Sequence, residues 1–364
     1  MTPTHTAGTT TQIVGRNATV QFEGPTITKV TSGDASSRVF IAPGFVDLQV
    51  NGVDAVDFGI AKDARTIAHA LTQMAEHGTT ACLPTIVTAE LDQYDDTLDR
   101  IREAQALSDA QQRSQILGVH LEGPFLGGAT GAHPRHLIRP VDIRWLTALI
   151  ERHSDLIRLV TLAPEADPGF EGIALLKEHN ILVALGHSNC SYETAVSAID
   201  AGATIATHLF NGMSGLHHRD PGLATAALLD DRITPTLIAD LHHVSAPAIG
   251  VALATKQRIA LITDSVAPGA GESGSMKIEQ RGGAVFLEDG TLAGSVIHMI
   301  DAVRILVGLG ISIERAVTMA ATVPCDLLGR NDLGRLTPGA AANLVELHFE
   351  SAALQRVWLH GAPI

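Results

Sequence analysis

Aromatic side chains are scarce in this chain. Phe, Trp and Tyr make up 4% of the 364 residues while hydrophobic residues reach 45%, so the core has to be built from Ala, Val, Ile and Leu. Cysteine is sparse too. Cys82, Cys190 and Cys325 are odd in number and share no metal-type spacing, which argues against a disulfide framework and for a reducing, cytoplasmic setting. Positive charge is in deficit: 25 Lys and Arg stand against 39 Asp and Glu, a formal net charge of −14, with no basic tail or block. Nucleic acid and anionic membrane are poor partners for such a surface. A small anionic substrate needs a locally positive site. No apolar run is long enough to span a bilayer. The leader "MTPTHTAGTTTQ" (residues 1–12) has no apolar centre, so it reads as a flexible extension and not a signal peptide.

What is present alternates. From Pro43 onward short apolar runs are each followed by a helical pattern: "GFVDLQV" by "KDARTIAHALTQMAEHG", "TTACLPTIV" by "AELDQYDDTLDRIREAQAL", and so on to "RIALITD" and "IHMIDAVRILVGLG". Ile67, Leu71 and Met74 share one helical face, and Gly78 suits the end of that helix. Near-continuous apolar strands suit a parallel sheet buried on both faces. Eight such units predict a (β/α)8, TIM-like barrel over residues 43–332, with an open doubly wound sheet as the alternative. Residues 13–42 and 333–364 are rich in short strands and turns and predict a small β-sandwich domain formed by both chain termini. "MKIEQRGGAVFLEDGTLAG" (276–294) reads as a hairpin insertion, with turns at Gly282-Gly283 and Asp289-Gly290.

A barrel places its chemistry at the C-terminal ends of its strands. Those ends are polar: Gln49 and Asn51 on the first, His120 and Glu122 on the third, then His187, His208, Asp240 and Asp264 on the fifth to eighth. Taken singly, each is an ordinary hydrogen-bonded core or capping residue. Together they converge on one barrel mouth. Glu122, His187 and His208 supply one carboxylate and two imidazoles, a set suited to Zn2+ with a position left for water. Such an ion brings the pKa of a water towards neutrality and polarises a carbonyl. Asp264 is then placed to move a proton from water to a leaving amine, so amide cleavage is the expected reaction.

Two loops add to this. "HLFNGMSGLHHRDPG" (208–222) has Gly212 and Gly215, where backbone can approach a ligand, and the cationic His217, His218 and Arg219. With His242 and His243 of "DLHHV" it reads as an anion anchor, Arg being suited to phosphate by its planar fork. A solvated basic loop is the plain alternative. "LGGATGAHPRH" (126–136) has the Gly content of a lid, from which His133 reaches down, or is an ordinary surface loop.

The strings "APGFVDLQVNG", "GVHLEGPFL", "VTLAPE", "ALGHSN", "THLFNGM", "RDPGL", "IADLHHV", "LITDSVAPG" and "LAGS", in this order, resemble N-acetylglucosamine-6-phosphate deacetylases of the amidohydrolase superfamily. "LGRLTPGAAANLVEL" carries the likeness into the C-terminal strands. The resemblance implies a metal-dependent barrel, homodimeric, that removes acetate from an amino-sugar phosphate. It implies Glu122, His187 and His208 as ligands of one divalent ion, zinc before iron, and Asp264 as acid and base. His133 matches a histidine that orients and polarises the acetamide, although "AHPRH" is short by a residue and leaves His136 as a rival. Asn211 and the backbone of Gly212 match sugar-phosphate contacts. His243 and Arg219 match a phosphate-binding pair, at least one of which comes from the partner subunit.

Many relatives carry His-x-His where this chain has Gln49 and Asn51. Neutral amides are weak Zn2+ ligands, so the expectation is one metal, with both amides hydrogen-bonding water or substrate. A deacetylase for the galactosamine epimer and a non-catalytic sugar-phosphate sensor are the competing readings. The sensor is disfavoured because Glu122, His187, His208 and Asp264 are all present.

Overall fold

The apolar runs become eight parallel strands paired in chain order: β1 (Phe45–Val50), β2 (Thr79–Val87), β3 (Val119–Glu122), β4 (Ile157–Leu162), β5 (Leu182–Leu185), β6 (Ile205–Ala206), β7 (Thr234–Ile238) and β8 (Ala260–Ile262). The structure, a computed structural model, describes residues 10–108 and 113–364. The ring closes between β8 and β1. Val50 bridges to Ser265, the Asp264 N–H donates to the Gln49 carbonyl at 2.9 Å, and Asn51 N–H donates to Ser265 at 2.8 Å. Asp47, buried in β1, braces the same seam by accepting the Thr263 hydroxyl at 2.6 Å. Closure rules out the open doubly wound sheet.

All six residues of β1 are buried, Asp47 and Gln49 among them, as suits a strand covered on both faces. Inside the barrel lie Val46, Leu48, Leu83, Leu159, Ile238 and Ile262 with several alanines, an aliphatic interior without an aromatic ring. A helix follows each strand, from α1 (Ala64–Glu76) after β1 to Met299–Gly308 after β8. Asp63 caps α1 by accepting the Thr66 N–H at 2.8 Å, and Ile67, Leu71 and Met74 face the core. Gly78, at φ +85°, turns the chain into β2.

The chain ends form two antiparallel sheets. Thr10–Val14, Ala18–Glu23 and Thr26–Ser32 make one; Val39–Pro43, Leu344–His348, Leu354–Leu359 and Ala362–Pro363 make the other. They share an apolar cluster that includes Val20, Phe22, Ile27, Ile41, Leu344 and Trp358. Phe22 meets Trp358 edge-on at 5.4 Å. Of the expected extension, residues 10–12 belong to a strand, and residues 1–9 lie outside the described residues. The segment after β8 has both expected turns, with Gly282 at φ +65° and Gly290 at +86°. They join three antiparallel strands, Glu279–Arg281, Ala284–Phe286 and Leu292–Ser295. Ser295 N–H donates to the Asp264 carbonyl at 3.0 Å, fixing this sheet over the barrel mouth.

Candidate active site

At the ends of β3, β5 and β6, three side chains meet. Glu122 Oε1 lies 3.1 Å from His187 Nε2 and 3.0 Å from His208 Nε2, and the two Nε2 atoms are 3.0 Å apart. Each histidine leaves its strand in the left-handed region, His187 at φ +50° and His208 at +30°, as does Asp264 at +47°. Such conformations cost about 1–3 kcal/mol each for a non-glycine residue and persist only where surrounding structure enforces them. Here they turn side chains from strand ends into the mouth.

The amides of β1 reach the same point. Gln49 Nε2 donates to Glu122 Oε1 at 3.0 Å and to Asp264 Oδ1 at 3.2 Å, while its carbonyl accepts the Thr207 hydroxyl at 3.1 Å. Asn51 Nδ2 donates to Asp264 Oδ1 at 2.8 Å. Two carboxylates that repel one another are thus tied together through amide N–H groups. Both amides were expected to serve water or substrate; the two donors and the carbonyl of Gln49 are engaged within the protein. Asn51 differs. It lines the cavity and its Oδ1 is buried without a partner, an acceptor left for a water or a substrate hydroxyl.

A cavity of about 210 Å3, open to solvent, stands above the cluster. Its wall includes His133, Asn211, Gly212, His243 and Asp264, with Met276, Thr291 and Leu292 from the segment after β8. His133 holds Thr88 through Nδ1 at 2.9 Å, and its Nε2 is 3.7 Å from Glu122 Oε2. His136 is exposed and faces a neighbouring cavity, so of the two rivals it is His133 that sits beside Glu122. Gly212 is at φ +52°, where a side chain is strained, and a Cβ there would stand 3.0 Å from His187 Nδ1, crowding that ring. Arg219 is exposed and does not line the cavity. His120 is also absent from the wall, being buried against Thr161 at 2.8 Å. Sequence reading missed Thr88 and Thr207, which hold His133 and Gln49, and Glu165, whose carboxylate accepts the Ser188 hydroxyl at 2.6 Å and Asn189 N–H at 2.8 Å. Applying the strand-end rule to the loop after β4 finds Glu165.

Residues 40–361 match the amidohydrolase family. The chain is 37% identical to the N-acetylgalactosamine-6-phosphate deacetylase of Escherichia coli over 93% of this chain and 90% of that one. It is 34% identical to the N-acetylglucosamine-6-phosphate deacetylase of Bacillus subtilis over 80% and 75%. The chain belongs to the amidohydrolase family. Among solved structures, the N-acetylglucosamine-6-phosphate deacetylase of Pasteurella multocida superimposes on this amidohydrolase with a TM-score of 0.86, at 28% identity over 96% of this chain and 95% of that one.

The donor set fits the metal that this family uses. His187 Nδ1 faces the Ala129 carbonyl and His208 Nδ1 the Asn211 carbonyl, each at 3.1 Å. A carbonyl can only accept, so both hydrogens sit on Nδ1 and both Nε2 lone pairs converge beside a carboxylate. Lone pairs so close repel unless a cation lies among them. All three ligand atoms fall within 4.8 Å of one another, and this is the one such cluster among the described residues.

Asp264 is pushed up to about 6 by burial and by the Glu122 charge. His133 is pushed down to about 3 by burial and by His187, so its ring stays neutral. A base must be unprotonated, so kcat/KM should fall as pH drops through the Asp264 transition. A cation at Glu122 offsets the repulsion and sets that limb at or below about 6. The second ionisation of a phosphate ester also lies near 6, so the profile should be measured with an unphosphorylated substrate. A limb above pH 7 in that profile would remove Asp264 as the titrating base.

Proposed function

We propose that this amidohydrolase removes the acetyl group of N-acetyl-D-glucosamine 6-phosphate, giving D-glucosamine 6-phosphate and acetate. The observation that carries this is the meeting of Glu122, His187 and His208 with Asp264 and His133 at one cavity. Glu122, His187 and His208 would hold one divalent ion, zinc by preference, which lowers the pKa of a water and polarises an amide carbonyl. Asp264 takes a proton from the attacking water as its oxygen bonds to the carbonyl carbon, then gives that proton to the leaving nitrogen as the C–N bond breaks. His133, held through Nδ1 by Thr88 at 2.9 Å and standing beside Glu122, orients the acetamide from the cavity wall. Asn211, Gly212 and His243 bind the sugar phosphate from the cavity wall.

In this reading residues 43–332 form the catalytic domain, and the protein is a homodimer. Arg219, exposed on its loop, reaches the phosphate of the partner's substrate beside His243. Three buried, unpaired cysteines fit a cytoplasmic enzyme. Arg219→Ala should lower kcat/KM for the phosphorylated substrate by about ten- to a hundred-fold, the worth of one charged hydrogen bond at roughly 1.5–3 kcal/mol, with a much smaller loss on N-acetylglucosamine. Equal losses on both would make Arg219 structural. Heterodimers with an Asp264→Asn subunit should recover part of the lost activity if Arg219 acts across the interface.

A second reading, the galacto epimer as substrate, is favoured by the 37% identity to an N-acetylgalactosamine-6-phosphate deacetylase. The test is acetate release by the purified protein from each N-acetylhexosamine 6-phosphate. Higher kcat/KM on the gluco epimer is expected. Preference for the galacto epimer selects the second reading, and acetate from neither rejects both.

A further inference from the structure

At the end of β7 a buried carboxylate addresses the cavity only through a histidine. Asp240 is 5% exposed. Its Oδ1 accepts the backbone N–H groups of His242 at 2.9 Å and His243 at 2.8 Å, and its Oδ2 accepts His243 Nδ1 at 2.6 Å. The intervening Leu241 is at φ +64°, which folds the chain back so that one side chain caps both following amides. Asp240 is not part of the cavity wall; His243 is.

We infer that Asp240 is a positioning and specificity-determining residue, holding His243 as a cationic donor that selects substrates with an anionic end. This rests on the reading that His243 contacts the sugar phosphate. The carboxylate requires a hydrogen on Nδ1. A neutral ring would then offer only a lone pair from Nε2, which repels a phosphate oxygen. A phosphate oxygen is met by a hydrogen only when Nε2 carries one as well, and Asp240 Oδ2, 2.6 Å from Nδ1, is the anion paired with that ring. The Asp240 carboxyl is itself held below its usual range, burial being outweighed by the His243 hydrogen bond. Other charged groups around His243 are Asp264 across the mouth, whose charge it also feels, and His242 beside it on the loop, exposed and turned towards Gly283.

Asp240→Asn keeps an oxygen for the two backbone amides. Its NH2 group faces His243 Nδ1, which then becomes an acceptor, so the ring turns neutral with its hydrogen on Nε2. The expected result at pH 8 is a rise of about ten-fold or more in KM for N-acetylglucosamine 6-phosphate, with kcat little moved and a far smaller change on N-acetylglucosamine. The KM defect should shrink towards pH 6, as a free imidazole protonates near 6.5. A merely structural carboxylate predicts equal losses on both substrates at every pH, and that outcome overturns the inference. His243→Ala and the double variant complete a cycle. If Asp240 acts through His243, Asp240→Asn adds nothing to His243→Ala, whereas additive losses contradict it. If His243→Ala leaves the preference for phosphate intact, it is the assignment of His243 that fails. Should Asp240→Asn not fold, the pH dependence of phosphate competition against N-acetylglucosamine in wild type decides. Inhibition by inorganic phosphate that persists to pH 8 supports a stabilised cation, and inhibition lost above 6.5 opposes it.

Discussion

Asp264→Asn should lower kcat by on the order of 10²–10⁴, the usual contribution of a positioned general acid and base, while metal affinity stays near that of the wild type. Asp264 Oδ1 accepts both amides of β1, Gln49 at 3.2 Å and Asn51 at 2.8 Å, which leaves Oδ2 for the proton. In the variant the asparagine oxygen can still accept both bonds, so the seam between β8 and β1 is preserved and only proton transfer is lost. The backbone contacts that close the barrel, Asp264 N–H to Gln49 and Ser295 N–H to Asp264, do not involve the changed atoms. Single-turnover acetate release together with circular dichroism checks this. A folded variant within a few-fold of wild type would take Asp264 out of the mechanism.

Glu122→Ala should be more severe. Glu122 Oε1 lies within 3.1 Å of both histidine Nε2 atoms, so its loss leaves two imidazoles and no anion to hold a divalent ion. Bound metal should fall to near zero. Acetate release should drop by roughly 10³-fold or more, since electrophilic activation is worth several kcal/mol and each 1.36 kcal/mol is tenfold. Elemental analysis and acetate release give both readouts. A variant that keeps a full metal complement and most of its activity would show that the ion is held elsewhere.

The barrel and its polar mouth were legible because each strand end breaks an otherwise apolar run. Glu122, His187, His208 and Asp264 stand out on that ground alone. The role of Gln49 was not legible. A change of register in β1 between Asp47 and Val50 lets Gln49 reach both carboxylates, and no sequence pattern announces such a shift. Thr88, Thr207 and the Ala129 carbonyl escaped for another reason. They act on their neighbours from loops and strand ends, where ordinary residues acquire a task only through three-dimensional placement. Arg219 was placed with His243 by resemblance; in the structure it is exposed and lies outside the cavity wall that His243 lines.

The central claim, one metal ion serving one acid–base carboxylate in amide hydrolysis, is tested most directly by titrating metal-free protein with zinc while following acetate release from N-acetylglucosamine 6-phosphate. Activity should rise linearly and level off at about one equivalent per chain, because the amides of Gln49 and Asn51 leave no second set of strong ligands. A rise that continues to two equivalents, or no acetate at any zinc level, would contradict the account.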